Sequence, residues 1–175
     1  MQFTVDFCKV IKKHLIFLTL GLILFTMIGC GSMVLQTTTG FVASMTDVHR
    51  NGGAVNFHVN GGSEFVGVGP ALRMKFTKND QQIGLGTELI VLFPPVGPVT
   101  FYGRAGIHAG QFEWLSKDFV YGMFSPYGEL GVMVRVYFIQ LTASGAVDYS
   151  VRFGNPPNEG FWSFLLGVAV LWRDL

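Results

Sequence analysis

From Gly40 onward, apolar and polar residues alternate with a period of two through most of the chain. Neighbouring strand residues point to opposite faces, so this period predicts β-strands, and no stretch sustains the 3.6-residue period of a helix. Leu141, Ala143, Val147, Tyr149 and Val151 share one face, while Gln140, Thr142, Ser144, Asp148, Ser150 and Arg152 share the other. The same division sets Val66, Val68, Leu72, Met74 and Phe76 against Gly67, Gly69, Ala71, Arg73 and Lys75, and Leu130, Val132, Val134, Val136 and Phe138 against Glu129, Gly131, Met133 and Arg135. Turn-forming clusters punctuate the pattern, among them Asn60-Gly61-Gly62-Ser63, Pro94-Pro95-Val96-Gly97-Pro98 and Gly154-Asn155-Pro156-Pro157-Asn158. They delimit eight expected strands, at 34–46, 53–60, 64–77, 81–93, 98–114, 119–138, 139–153 and 160–173. The first two lack the aliphatic rhythm of the rest, and Phe138-Ile139 carries no turn signal. Fusion of strands six and seven around a bulge would instead give seven strands and an open or oligomeric sheet.

An even count closes an antiparallel up-and-down β-barrel with both termini on one side. Once each strand is phased by its aliphatic residues, all eight mid-strand charges fall on the opposite face: Arg73, Lys75, Glu88, Arg104, Glu129, Arg135, Asp148 and Arg152. Gly67, Gly69, Gly84, Gly86, Gly106, Gly110, Gly131 and Gly145 are assigned to that polar face, as a narrow interior needs small residues beside large ones. Phe76, Phe93, Phe101, Phe138, Phe153, Trp162 and Trp172 gather at the ends of the apolar face, where a lipid-facing barrel carries its aromatic girdles. The expectation is a barrel with its apolar face toward lipid.

The beginning of the chain has a different character. Lys9, Lys12 and Lys13 precede an uncharged run of 14 residues, Leu15 to Ile28. That is shorter than the ~20 residues of a spanning helix and fits a secretory signal segment. Met27-Ile28-Gly29-Cys30 resembles the lipobox of bacterial lipoprotein precursors. The resemblance implies cleavage before Cys30, which would then carry acyl chains of the palmitate class, and the glycine that follows implies the outer membrane. Residues 1–29 are thus expected to be a signal peptide and 30–175 the barrel. Ordinary signal cleavage near Gly31 or Ser32, with Cys30 discarded, is the alternative.

Composition narrows the function classes. Half the residues are hydrophobic and only 13% are charged, beside 23 glycines and 17 phenylalanines, which argues against a charge-coated soluble surface and against disorder. Removing Asp6 and the three early lysines leaves nine basic and ten acidic residues, so no nucleic-acid footprint is expected. With Cys8 in the removed segment, the expected mature chain has no internal disulfide, no cysteine-built zinc site and no cofactor motif.

The whole pattern resembles the eight-stranded outer-membrane barrels of the outer-membrane-protein-A and outer-membrane-protein-X type. Gly167-Val168-Ala169-Val170-Leu171-Trp172 resembles their carboxy-terminal assembly signal. The resemblance implies outer-membrane lipids, the barrel-assembly machinery and the lipoprotein-export machinery as partners. It supplies no catalytic residue.

The candidate site is therefore an interior cluster: Arg73, Lys75, Glu88, Arg104, His108, Glu129, Arg135, Asp148 and Arg152. Charge pairing inside a plugged barrel is one reading, since an unpaired buried charge is expensive. Five basic residues against three acidic ones motivate a second, a gated polar pathway or small anion site. Two further classes are a lipocalin-like periplasmic barrel with its apolar face around a hydrophobic ligand, and a lipid-modifying enzyme drawing on His49, His58, His108, Ser144 or Ser150.

Overall fold

The computed structural model describes residues 32–46, 51–78, 80–114, 119–153 and 158–173. The expected signal segment (1–29), Cys30, and the loop residues Asp47, His49 and Arg50 lie outside them. Eight antiparallel strands follow one another around a closed barrel: β1 (Ser32–Ser44), β2 (Gly52–Gly62), β3 (Val66–Thr77), β4 (Asp80–Leu92), β5 (Val99–Trp114), β6 (Phe119–Val136), β7 (Ile139–Arg152) and β8 (Glu159–Arg173). Every boundary falls within two residues of the one expected from the alternation. The ring is sealed where β1 pairs with β8, from Ser32 opposite Arg173 to Ser44 opposite Phe161, so no strand edge is left open.

The register fixes the barrel's shape. A path of paired residues from Ser32 through Gly62, Gly67, Ile90, Arg104, Glu129, Ala146 and Ser163 returns to β1 at Val42, ten residues further on. With about 3.3 Å per residue and about 4.8 Å between strands, that stagger over eight strands tilts them by about 40°. Along β8, Trp162, Phe164, Leu166, Val168 and Trp172 all face outward. The interval from Trp162 to Trp172 rises about 25 Å along the barrel axis at this tilt.

The alternation reads out as two surfaces. In β7, Gln140, Thr142, Ser144, Asp148, Ser150 and Arg152 are buried while Leu141, Val147 and Tyr149 are about half exposed. In β2, buried Asn56, His58 and Asn60 alternate with outward Val55, Phe57 and Val59. The apolar face therefore points away from the barrel, which overturns the lipocalin-like arrangement. Gly145 also departs from the expected assignment: strand parity places it on the outer face beside Leu141 and Val147, and an absent side chain cannot override that parity.

Two local features break the regular ladder. Strands β6 and β7 join through the two-residue turn Tyr137-Phe138, with Tyr137 at φ 56°. A two-residue hairpin turn needs positive φ in its centre, usually supplied by glycine or asparagine. A tyrosine there explains why the sequence shows no turn at this point. Pro70 in β3 and Pro126 in β6 lack a backbone donor, and the β2–β3 and β6–β7 pairings are interrupted beside them. Both face outward.

Candidate functional site: the barrel interior

The interior is layered along the axis. At the end that carries the first residues of β1 and the last of β8, Val34, Ile90, Leu92, Met133 and Ala169 form an apolar seal with Leu171 packed against it. Immediately above lies a polar layer around two glutamates. Glu129 accepts from Tyr102 Oη at 2.6 Å and Arg104 Nη1 at 3.1 Å, and also from Tyr127 Oη. Arg104 Nε stands 3.0 Å from Glu88, whose two oxygens are each 3.0 Å from His58 Nδ1. Gln36 closes this layer, accepting from Arg104 Nη2 at 2.6 Å and donating to Tyr102 Oη at 3.1 Å.

Asp148 organises the next layer. Lys75 Nζ lies 2.5 Å from one carboxylate oxygen and Arg73 Nη1 3.3 Å from the other. Arg73 Nε also donates to Asn56 Oδ1, and its guanidinium lies 3.8 Å over the Tyr127 ring. Lys75 sits 4.1 Å over the Phe161 ring and donates to Ser150, which donates to Gln82. Val42, Ala54, Ala146 and Leu165 pack with Tyr127 and Phe161 as a second apolar cluster. At the loop end, Arg152 Nη2 pairs with Glu159 at 3.0 Å, and Ser44 donates to the same carboxylate.

This arrangement corrects the charge count. Arg135 is exposed at the lower rim, where its Nε donates to the Tyr137 carbonyl, because β6 is ending there and the side chain reaches the turn. Glu159, one residue before the eighth strand expected from the sequence, is a buried member of β8. The described interior thus holds four cations, Arg73, Lys75, Arg104 and Arg152, and four carboxylates, Glu88, Glu129, Asp148 and Glu159. Every one lies within ion-pair distance of an opposite charge. The cationic excess that motivated an anion pathway is not present. His58 was not singled out for the cluster, although its alternation with Val55, Phe57 and Val59 between Asn56 and Asn60 carries the signal. His108 is buried and edge-on to Tyr127 at 5.5 Å, with neither ring nitrogen hydrogen-bonded to protein.

Glycines on β4, β5 and β6 make room for these side chains. A Cβ added at Gly131 would come within 2.7 Å of the Tyr102 ring and of Ser144 Cβ, so glycine there allows Tyr102 to lie flat and reach Glu129. Among the described residues no histidine hydrogen-bonds a serine: His58 turns its Nδ1 to Glu88, and Ser150 is bonded to Ser125 and Gln82. A nucleophile–base pair of the kind acyl transfer uses is therefore not assembled among the described residues.

No protein-family model matches the chain, and no curated protein does so by sequence. Solved structures do. Neisserial surface protein A is 14% identical with a TM-score of 0.67, over 80% of this chain and 96% of that one. The N-terminal β-barrel domain of Pseudomonas aeruginosa OprF is 15% identical with a TM-score of 0.56, over 82% of this chain and 99% of that one. This chain shares their fold. Both matches extend over nearly the full length of the solved barrels, so the likeness spans the closed architecture and not one hairpin of it.

Proposed function

We propose that the protein is a small outer-membrane β-barrel lipoprotein, held at the periplasmic side through acylated Cys30, with a structural or interaction role and an interior that acts as a plug. The observation that carries this reading is the inversion of the barrel: aliphatic and aromatic side chains cover its outside, while paired charges fill its inside. Such a surface is stable only against an apolar medium. The outward row of β8, bounded by Trp162 and Trp172 about 25 Å apart along the axis, matches the lipid band and aromatic girdles of outer-membrane barrels. Ser32 begins β1 at the rim shared by the end of β8, so an anchor at Cys30 would enter the same leaflet.

A Cys30→Ala chain exported behind a cleavable signal tests both halves of the reading. Detergent-dependent extraction together with a heat-modifiable gel shift is expected if the barrel spans the membrane, and recovery in the soluble periplasm would refute it. Labelling of the wild-type chain with an acyl probe, lost in Cys30→Ala, reads the lipidation separately. Planar-bilayer recordings are expected to stay at the noise level, because paired side chains and an apolar cluster occupy the described interior of an eight-stranded barrel.

A further inference from the structure

The two ends of the barrel differ in the residues that join their strands. The eleven residues of the turns at the lower rim, 63–65, 93–98 and 137–138, hold a single charge, Glu64. The segments that link strands at the opposite end hold Asp47, His49, Arg50, Lys78, Lys117 and Asp118. At the lower rim Tyr137 and Phe138 are 90% and 81% exposed, Val96 is 71% exposed, and Phe65 is exposed as well. Turns in water favour glycine, asparagine, aspartate and serine, so this rim is built for a different medium. Hydrogen bonds fix each turn. Ser63 N donates to Val66 O at 2.8 Å and Leu92 N to Phe65 O at 2.7 Å, Val96 and Val99 exchange backbone bonds at 2.8 and 3.2 Å, and Arg135 Nε donates to the Tyr137 carbonyl.

The stagger fixes the height of this rim. Along the axis each residue advances about 2.5 Å, and each residue lies about 3 Å below its row partner on the next strand in sequence. Leu141 is paired with Val168. Three residues from Leu141 down to Phe138, against four from Val168 to Trp172, therefore bring Phe138 level with Trp172 to about 1 Å. Through the Val99–Val134 and Val66–Val91 pairings, Val96 and Phe65 fall within about 4 Å of the same height. Phe93 and Phe101 stand exposed just above them, so the apolar outer band runs into the turns without a polar break.

We infer that the lower rim is a lipid-binding surface, with Tyr137, Phe138, Val96 and Phe65 seated at the headgroup–acyl boundary of the phospholipid leaflet at that end. The inference rests on the membrane-barrel reading, in which Trp172 marks the edge of the hydrocarbon. The polar layer beyond that edge is about 5–7 Å deep, and turns within about 4 Å of Trp172 lie inside it. Tyrosine suits this place, because its ring is apolar and its hydroxyl reaches water. The barrel thus ends within the interface, and its own turns hold it at a fixed depth without the acyl anchor. A protein on the water side is the competing occupant, and it would have to displace headgroups from turns that lie at their level.

Depth-dependent quenching tests this in the Cys30→Ala chain exported behind a cleavable signal. Tyr137→Cys, Phe138→Cys and Val96→Cys each carry a bimane label in phosphatidylcholine vesicles that contain phospholipids with a nitroxide on the headgroup or at the middle of the acyl chain. Lys78→Cys, exposed at the opposite end, is the water-side reference, and Ile107→Cys on the outer wall is the mid-depth reference. Heat-modifiable migration identifies the variants that retain the barrel, and three rim sites guard against the loss of one. At the rim, headgroup nitroxides are expected to quench at least twofold more strongly than mid-chain ones, and iodide at least threefold less than at Lys78→Cys. Iodide quenching equal to that at Lys78→Cys overturns the inference, as does shielding from iodide without quenching by either nitroxide, the mark of a protein cover. Failure of the mid-chain nitroxide to quench at Ile107→Cys overturns the membrane reading beneath it, a result that the rim labels do not mimic.

Discussion

Asp148 is the most exacting point at which to test the plugged interior. Its two carboxylate oxygens hold Lys75 at 2.5 Å and Arg73 at 3.3 Å, and its side chain is fully enclosed. Arg73 Nη2 makes no hydrogen bond to protein, so Arg73 depends on Asp148, Asn56 and the Tyr127 face. Asp148→Asn keeps the shape of the side chain and removes its charge, leaving two buried cations facing a neutral amide. Breaking a buried pair in this way costs about 3–5 kcal/mol, mostly because the remaining charge stays desolvated. At about 1.4 kcal/mol per factor of ten, the folding equilibrium is expected to fall between about a hundredfold and a few thousandfold. Adding Lys75→Met removes one of the stranded cations, so the double variant is expected to be more stable than Asp148→Asn alone. Reversible urea unfolding in lipid vesicles, followed by tryptophan emission and by the heat-modifiable band, measures both. A loss under about 1 kcal/mol, the range of solvent-exposed pairs, would refute the reasoning, since it would mean that water in the lumen already screens these charges.

Other substitutions examine separate parts of the account. Ile107 sits near mid-height on the outer face of β5; Ile107→Arg is expected to cost about 2–4 kcal/mol in vesicles if lipid covers that face, and close to nothing if water does. Gly131→Ala places a methyl against the Tyr102 ring, so a loss of about 1–3 kcal/mol from overpacking is expected in the same unfolding assay; unchanged stability would show that Tyr102 is free to move. Pro126→Ala restores a backbone donor opposite the interrupted stretch of β7 and is expected to gain about 0.5–1.5 kcal/mol, with slower hydrogen exchange at that strand pair as the local readout.

Much of the architecture was legible because a strand has only two faces. Once Leu141, Ala143 and Val147 defined one side of β7, Asp148 and Arg152 had to take the other, and their burial follows from that parity. Long runs with clear turn clusters placed the strand ends within two residues even in β1, where Thr37-Thr38-Thr39 gives no aliphatic rhythm. The misassignments have a common origin in features without a side-chain signature. The Tyr137-Phe138 turn was hidden because its positive φ is carried by tyrosine and not by glycine. Gly145 was drawn to the polar face by the company of other glycines, although its parity is that of Leu141.

By itself the sequence determined the phase of the strands and the division into a polar and an apolar face, because these depend on local period, while the β6–β7 turn, and with it closure into eight strands with the apolar face outward, came from the structure. Only the tertiary structure decided which charges meet. Arg135 and Arg152 are equivalent in strand parity, but the end of β6 releases the first to the rim, whereas the β7–β8 hairpin, with Ser150 opposite Glu159, brings Glu159 to the second. The stagger of ten residues sets Lys75 and Arg73 of β3 against Asp148 of β7, across the lumen. The balance of four cations and four carboxylates is therefore a property of closure, and closure is a relation between strands that no single strand's alternation contains.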